Sequence, residues 1–327
     1  MNIGYFLSSE EYGPADLVRQ ATLAEDAGFD SLWISDHFHP WIEQQGESPF
    51  VWSVIGAISQ VCSLPISTAV TCPTVRTHPA IVAQAAATSA LLTGGRFALG
   101  VGTGEALNEH VLGDRWPSFP QRLEMLEEAI EVIRELWAGG WVDRAGTYYT
   151  VENAKLYSRP ETPPPIHVSG FGPRAAALAG RVGDGYVSTH LTPDLITAFR
   201  EAGGEGKPVQ AAYKVCWGSD VETCVRTVHR LWPTEALPGE LAQVLPSPKH
   251  FEQATGLVTV DAIRGSLPCG DDPDEHVAKI AELAAAGADA VHVAQIGGSG
   301  SATSYEGFFE FYGASVLPRA RDSLSSS

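Results

Sequence analysis

The sequence predicts an α/β protein built as a closed (β/α)8 barrel, and three observations lead there. A single phrase recurs at wide spacing: Ala27-Gly28 before Asp30 and Leu32-Trp33-Ile34, Gly183-Asp184-Gly185-Tyr186-Val187, and Gly287-Ala288-Asp289-Ala290-Val291. A glycine at a helix end, an aspartate and then an unbroken apolar strand is how helices return into parallel strands. Counting such strands along the chain gives about eight, the number that closes a barrel. Finally, the polar and glycine-rich clusters follow strands, at the end where barrels of this kind place their chemistry. A doubly wound open sheet is the alternative arrangement of the same units.

In order, a strand at 2–6 leads to a helix opened by Pro14 and stopped at Ala27-Gly28, with Leu17, Val18, Ala21 and Ala24 at helical spacing. A strand ending at Ile34 follows, then a strand at 66–70, an alanine-rich helix at 79–92, a strand at 96–101 and an amphipathic helix at 122–137. The segment 141–151 alternates like a surface hairpin around Ala145-Gly146. Strands at 165–169, 185–188, 210–217 and 290–294 alternate with helices at 174–180, 193–202, 221–231 and 274–286. A helix at 305–320 closes the fold. The reading is one barrel domain over 1–322, an insertion with short helices at 233–267, and a disordered tail at 323–327.

A formal charge of −18 argues against nucleic acid or an anionic membrane surface as partner, since both need a basic face. Any anionic ligand must then be held locally, by helix N-termini and a few cations. Cys62, Cys72, Cys216, Cys224 and Cys269 form no C-x-x-C pair, which fits free thiols in a reducing cytoplasm. No signal peptide or membrane span is expected, and no His/Asp/Glu set has metal-ligand spacing, so no metal is assigned.

Four loops carry candidate chemistry. Ser35-Asp36-His37-Phe38-His39-Pro40-Trp41 follows a strand; Asp36 could fix the tautomer of His37, His37 could move a proton near neutral pH, and Trp41 offers an indole N–H and a flat wall. Alone, the same stretch reads as a polar loop with a capping aspartate. After the strand at 96–101, glycines including Gly102 and Gly104 would let a planar or phosphorylated ligand approach the backbone, without matching a dinucleotide fingerprint. Glu105 and Asn108 lie three apart there, and an inward Glu105 in a partly dry place would serve as an acid, or else is an ordinary helix-start glutamate. Ser169-Gly170-Phe171-Gly172-Pro173-Arg174 makes a phosphate cradle at a helix N-terminus, or only a tight turn. Ala69-Val70-Thr71-Cys72 by propensity is a strand end and a turn.

Taken together, the D-H-F-x-P-W stretch at 36–41, G-T-G-E-A-L-N-E at 102–109, Gly170-Phe171-Gly172-Pro173 and Gly183-Asp184-Gly185 resemble the luciferase-like, coenzyme F420-dependent oxidoreductases, most of all their glucose-6-phosphate dehydrogenase subgroup. The resemblance implies a bacterial luciferase-like (β/α)8 barrel with insertions, a homodimer, and a deazaflavin that exchanges hydride at one carbon. It implies His37 as the base that takes the substrate hydroxyl proton, with Asp36 beside it at the ring. Trp41 would steady developing charge, and Glu105 would protonate or orient the deazaflavin nitrogen. Ala69-Val70 would form a non-proline cis peptide bulge against the ring, with Cys72 standing where the family has threonine. Asn108 and the loop from Ser169 through Gly170, Phe171, Gly172 and Pro173 would hold the coenzyme's side chain and phosphate, with Arg174 an addition of this sequence.

Glu10, Thr189, Thr192, Gln253 and Ser266 would surround the substrate. The last three stand where the sugar-phosphate enzymes carry two lysines and an arginine, and a phosphate dianion would lose its charge-assisted partners there. Lys214, His250 and Arg264 are nearby cations able to form a different anion site. The expectation is therefore an F420-dependent dehydrogenase of an unphosphorylated alcohol or sugar-like carbinol rather than of glucose 6-phosphate. Alternatives are an F420H2-dependent reductase of a carbonyl or imine, an FMN-dependent monooxygenase, and a non-catalytic deazaflavin carrier.

Overall fold

In the computed structural model, which describes residues 1–325, eight parallel strands close into a barrel. They are β1 (Asn2–Leu7), β2 (Leu32–Ile34), β3 (Ile66–Thr68), β4 (Phe97–Val101), then, after an antiparallel hairpin of β5 (Val142–Ala145) and β6 (Thr150–Ala154), β7 (Ile166–Ser169), β8 (Gly185–Ser188), β9 (Val209–Val215) and β10 (Ala290–Gln295). The strand β1 pairs with both β2 and β10, so no edge is left and the open-sheet alternative is excluded.

The recurring aspartate has a structural reason. Asp30 accepts the Ile3 N–H, Asp184 the Ile166 N–H and Asp289 the Val209 N–H, each at 2.8 Å. Each carboxylate thus satisfies a backbone donor at the N-terminal rim of a neighbouring strand. Gly28 and Gly287 take the left-handed conformation expected of them, with φ of 89° and 105°. Gly183 does not. Its φ is −84°, and it is glycine because a Cβ would stand 2.7 Å from the Ala179 carbonyl oxygen.

Around the barrel run α1 (Pro14–Ala27), α2 (Val51–Ile58), α3 (Pro79–Leu92), α4 (Ala106–Glu109), α5 (Phe119–Ala138), α6 (Pro173–Val182), α7 (Pro193–Phe199) and α8 (Val221–Leu231). The helix α2 has no counterpart in the sequence reading, because its eight residues are too few for periodicity to register. Stretch 233–267 contains a 3-10 turn (Pro233–Ala236), α9 (Leu241–Val244), α10 (Pro248–Thr255) and α11 (Val260–Ile263), and α12 (Pro273–Ala285) follows it. It packs back on the loop after β2: Phe251 stands edge-on to Trp41, ring centroids 5.1 Å apart, and buries itself with Ile42 and Leu107. The chain closes with α13 (Tyr305–Phe311), one π turn and α14 (Leu317–Ser325). Ser323–Ser325, expected in a disordered tail, continue that helix; Ser326 and Ser327 lie outside the described residues.

The barrel floor is filled and polar. Trp33 stacks on His292 at 4.2 Å and donates to Gln210 at 3.2 Å, and Gln210 in turn meets His167 Nδ1 at 3.1 Å. Burial pushes His167 down to about 4 and His292 down to about 3, so both are neutral packing groups. Above them Phe6, Val187, Ala212 and Ala294 close the layer beneath the mouth, with Ala69 and Val70 packed against it.

Candidate active site

At the C-terminal rim, the loops after β1, β2 and β4 converge on His37. Glu10, from the loop after β1, places Oε1 3.3 Å from His37 Nε2, and its other oxygen accepts the Ser35 hydroxyl at 2.7 Å. Both carboxylate and imidazole are nearly sealed from solvent, with side chains 5% and 9% exposed. His37 Nδ1 lies 3.1 Å from the His39 carbonyl and 3.2 Å from Asn108 Nδ2. The ring of Trp41 closes one side, its centroid 5.0 Å from that of His37. The Trp41 backbone N–H donates to Gln45 at 2.8 Å, and among the described residues its indole N–H makes no hydrogen bond.

One expectation is corrected here, and two other residues make protein contacts that the sequence does not show. Asp36 does not orient His37: its carboxylate turns the other way, accepting the Thr71 hydroxyl at 2.7 Å and the Arg76 guanidinium at 2.9 Å. Glu10, expected around the substrate, is the carboxylate in contact with the imidazole. Asn108, expected on the coenzyme, is buried and spent on protein. Its oxygen accepts the Phe38 and His39 N–H groups at 2.9 and 3.2 Å, and its nitrogen faces His37 and, at 3.4 Å, Glu105. It pins the His37 loop.

Glu105 opens α4 and is half-buried beside Asn108. One turn on, burial lifts the Glu109 carboxyl to about 7 although the Arg76 N–H and guanidinium stand 2.8 and 3.5 Å from its oxygens. Arg76, which thus ties Asp36 to Glu109, was not visible in the sequence; only a cation count near two buried acids would have found it.

The glycines at the end of β4 and just after it are closely approached by protein. A Cβ on Gly100 would stand 1.9 Å from the Thr68 carbonyl, one on Gly102 2.7 Å from Val70, and one on Gly104, at φ +77°, 2.6 Å from Cys72 Sγ. Their emptiness admits the bulge after β3, where the Ala69–Val70 peptide is cis as the resemblance implies. Cys72 is buried under Gly104 with its thiol on Thr74, and so supports the loop without reaching the mouth. In the fourth loop the glycines divide. Gly170 is filled by Ala175 of α6, whose Cβ would be 2.5 Å away, while Gly172 has nothing within 4 Å. Ser169 is half-buried and Phe171, Pro173 and Arg174 are exposed around that opening.

Arg174 and Arg122 both lie over the Phe119 ring, at 5.6 Å each. Among the described residues neither has a carboxylate within ion-pair distance, and the buried Arg122 Nε has no partner.

Across the mouth a cavity of about 180 Å³ is lined by Phe6, Thr189, Ala212, Lys214, Glu235 and Ser266, among others. Thr189 and Ser266, expected around the substrate, both line this cavity. Thr192 is exposed at the start of α7 and Gln253 is exposed on α10, and neither lines this cavity. Of the cations offered as a substitute anion site, Lys214 is paired with Glu235 at 2.8 Å and Arg264 with Glu222 at 2.8 Å, while His250 faces Ser247. Among the described residues no group of three His, Cys, Asp or Glu side chains is arranged to hold a metal, and no helix is long and apolar enough to cross a membrane.

Residues 1–290 match the family model of luciferase-like monooxygenases. The chain belongs to that family. Among curated members, this luciferase-like chain is similar to the F420-dependent glucose-6-phosphate dehydrogenases of Microbacterium testaceum, 36% identical over 334 residues and 98% of each chain, and of Amycolatopsis mediterranei, 36% identical over 98% of this chain and 99% of the other. Among solved structures it is similar to an F420-dependent secondary alcohol dehydrogenase in complex with an F420-acetone adduct, with a TM-score of 0.87 and 32% identity over 97% of this chain and 98% of that one. The F420-dependent tetrahydromethanopterin reductase of Methanopyrus kandleri shares the fold at a TM-score of 0.77 and 23% identity.

Proposed function

We propose that this luciferase-like chain is a coenzyme F420-dependent dehydrogenase acting on the CH–OH group of an unphosphorylated alcohol or sugar-like carbinol. The observation that carries the reading is a sealed imidazole set between a carboxylate and a backbone carbonyl at the mouth of the barrel. Full-length likeness to F420-dependent dehydrogenases of a sugar phosphate and of a secondary alcohol supports the cofactor and the reaction type.

The residues present fit the coenzyme. Gly172 leaves open space at the N-terminus of the ten-residue helix α6, and Arg174 and the unpartnered Arg122 Nε offer cations near it for an anionic side chain. Ala69, Val70 and Trp41 offer apolar surface for a planar ring. Bound there, the deazaflavin supplies a ring carbon that accepts or returns hydride.

The protein's own part is proton handling. His37 Nδ1 lies against the His39 carbonyl and the Asn108 amide, and in the tautomer that carries its proton on Nδ1 the lone pair on Nε2 takes the substrate hydroxyl proton. The resulting imidazolium is stabilised by Glu10, whose oxygen stands 3.3 Å from Nε2. The free Trp41 indole N–H donates to the substrate oxygen, and Asn108 keeps the loop in register. Hydride transfer is reversible, so the same groups serve reduction of a carbonyl. A homodimeric cytoplasmic enzyme is part of the same proposal.

Titration with oxidised F420, followed by glucose 6-phosphate, glucose and a panel of small alcohols while the visible absorbance is watched, tests the reading. Bleaching by a neutral alcohol and not by the phosphate ester is expected; absence of coenzyme binding would overturn it. In the same assay His37→Ala is expected to lose about 10²–10⁴-fold in turnover with coenzyme affinity retained.

A further inference from the structure

We infer that Glu235 sets the charge selectivity of the mouth cavity, holding it neutral by occupying Lys214. This inference rests on the reading of the site as one for a neutral hydroxylated substrate, and names the device that makes it so.

Lys214 stands on β9, and its residue lines the cavity together with Phe6 and Ala212. Its side chain is only 14% exposed, and an ammonium in so dry a place needs a counter-charge. Two groups meet that need. The Trp232 ring lies under the ammonium, its centroid 4.1 Å from Nζ, and Glu235 Oε1 lies at 2.8 Å. Both come from one short piece of chain. Trp232 precedes the 3-10 turn Pro233–Ala236, and the Glu235 N–H donates to the Trp232 carbonyl at 3.2 Å. Trp232 is itself fixed, since it is buried and its indole N–H donates to Glu11 at 2.6 Å. The backbone of Glu235 is thus held beside an anchored aromatic, which keeps its carboxylate within reach of the lysine.

The consequence for ligands follows from counting charges and donors. Paired, Lys214 and Glu235 cancel, and the other lysine of the lining, Lys279, is paired with Glu282 at 2.8 Å, so a phosphate entering the cavity meets no unpaired ammonium. An ammonium has three donors and a carboxylate several acceptor sites, and one bond uses only one of each. The remainder can serve the hydroxyl groups of a neutral compound. Removing the negative charge alone would turn the same lysine into an unpaired cation facing the cavity from above an aromatic ring, which is an anion site.

The test is calorimetric titration of the full chain, with and without coenzyme, using glucose 6-phosphate and glucose as probes. Glu235→Gln is expected to bind glucose 6-phosphate about 10- to 100-fold more tightly than the wild type, the range of a charge-assisted hydrogen bond. Glucose affinity should change far less. The double variant Lys214→Met with Glu235→Gln should lose the gain. No gain in Glu235→Gln, or a gain that survives loss of Lys214, would overturn the inference. Should Glu235→Gln fail to fold, Lys214→Met gives a second arm: with Glu235 left unpaired it should bind protonated glucosamine more tightly than the wild type, and unchanged binding would overturn the inference. Because each arm compares binding between variants, it is independent of turnover. Glucose 6-phosphate oxidation by the wild type would overturn the proposed substrate class instead.

Discussion

Burial lifts the Glu109 carboxyl to about 7 against the pull of Arg76, and this has a consequence for stability that can be measured. The folded protein holds a proton on Glu109 across the range between the ordinary value of 4.5 and about 7, whereas the unfolded chain releases it near 4.5. The stabilisation is therefore complete below about 4.5 and is lost as the pH rises through 7. Its size is of order 3 kcal/mol at most, since each pKa unit corresponds to about 1.4 kcal/mol. Glu109→Gln, which keeps a neutral hydrogen-bonding side chain, should lose that part of the pH dependence. Chemical unfolding of both proteins between pH 4 and 8 checks this, and parallel curves would contradict it. At the same scale, the sequence marks Glu10 and Asn108 as site residues but not as partners of His37. Their contacts with His37 join positions 27 and 71 residues apart, and spacing carries no sign of them.

Strand ends and the loops behind them explain the glycines. Gly100 exists for the Thr68 carbonyl, so Gly100→Ala should displace the β3–β4 junction and cost about 1–3 kcal/mol, the usual range for an overpacked interior. Gly172 is the opposite case. Its φ of −145° suits any residue and no atom lies within 4 Å, so Gly172→Ala should leave the unfolding midpoint almost unchanged while weakening F420 binding. Thermal unfolding and a coenzyme titration on the two variants separate these roles. A Gly172→Ala protein that binds F420 normally would remove the α6 N-terminus from the coenzyme site. The sequence marks all these positions alike as glycines after strands. Only the distances show which are filled by protein and which face open space.

At the scale of the whole molecule, a formal charge of −18 works against an anionic coenzyme. The field extends about a Debye length, roughly 10 Å at 0.1 M salt, and cations such as Arg122 and Arg174 act only within it. Association with F420 should therefore quicken as salt rises from about 0.01 to 0.1 M, and stopped-flow mixing reads the rate directly. A rate that falls with salt would mean that a local positive patch steers the encounter.

Chain periodicity, strand count and the helix-to-strand returns determine the barrel, because a parallel strand buried on both faces must be a continuous apolar run and its helix must turn back at a glycine or an aspartate. The D-H-F-x-P-W and G-T-G-E-A-L-N-E stretches likewise determine the family, since both loops must emerge at the same rim. What the sequence leaves open is which carboxylate meets which cation. Glu10 rather than Asp36 touches His37, Arg76 rather than any residue of the motif takes Asp36, and Glu235 takes Lys214. These pairings are decided by closure of the barrel and the fold of the insertion over it. Charge interactions act across a few ångströms of space whatever the distance along the chain.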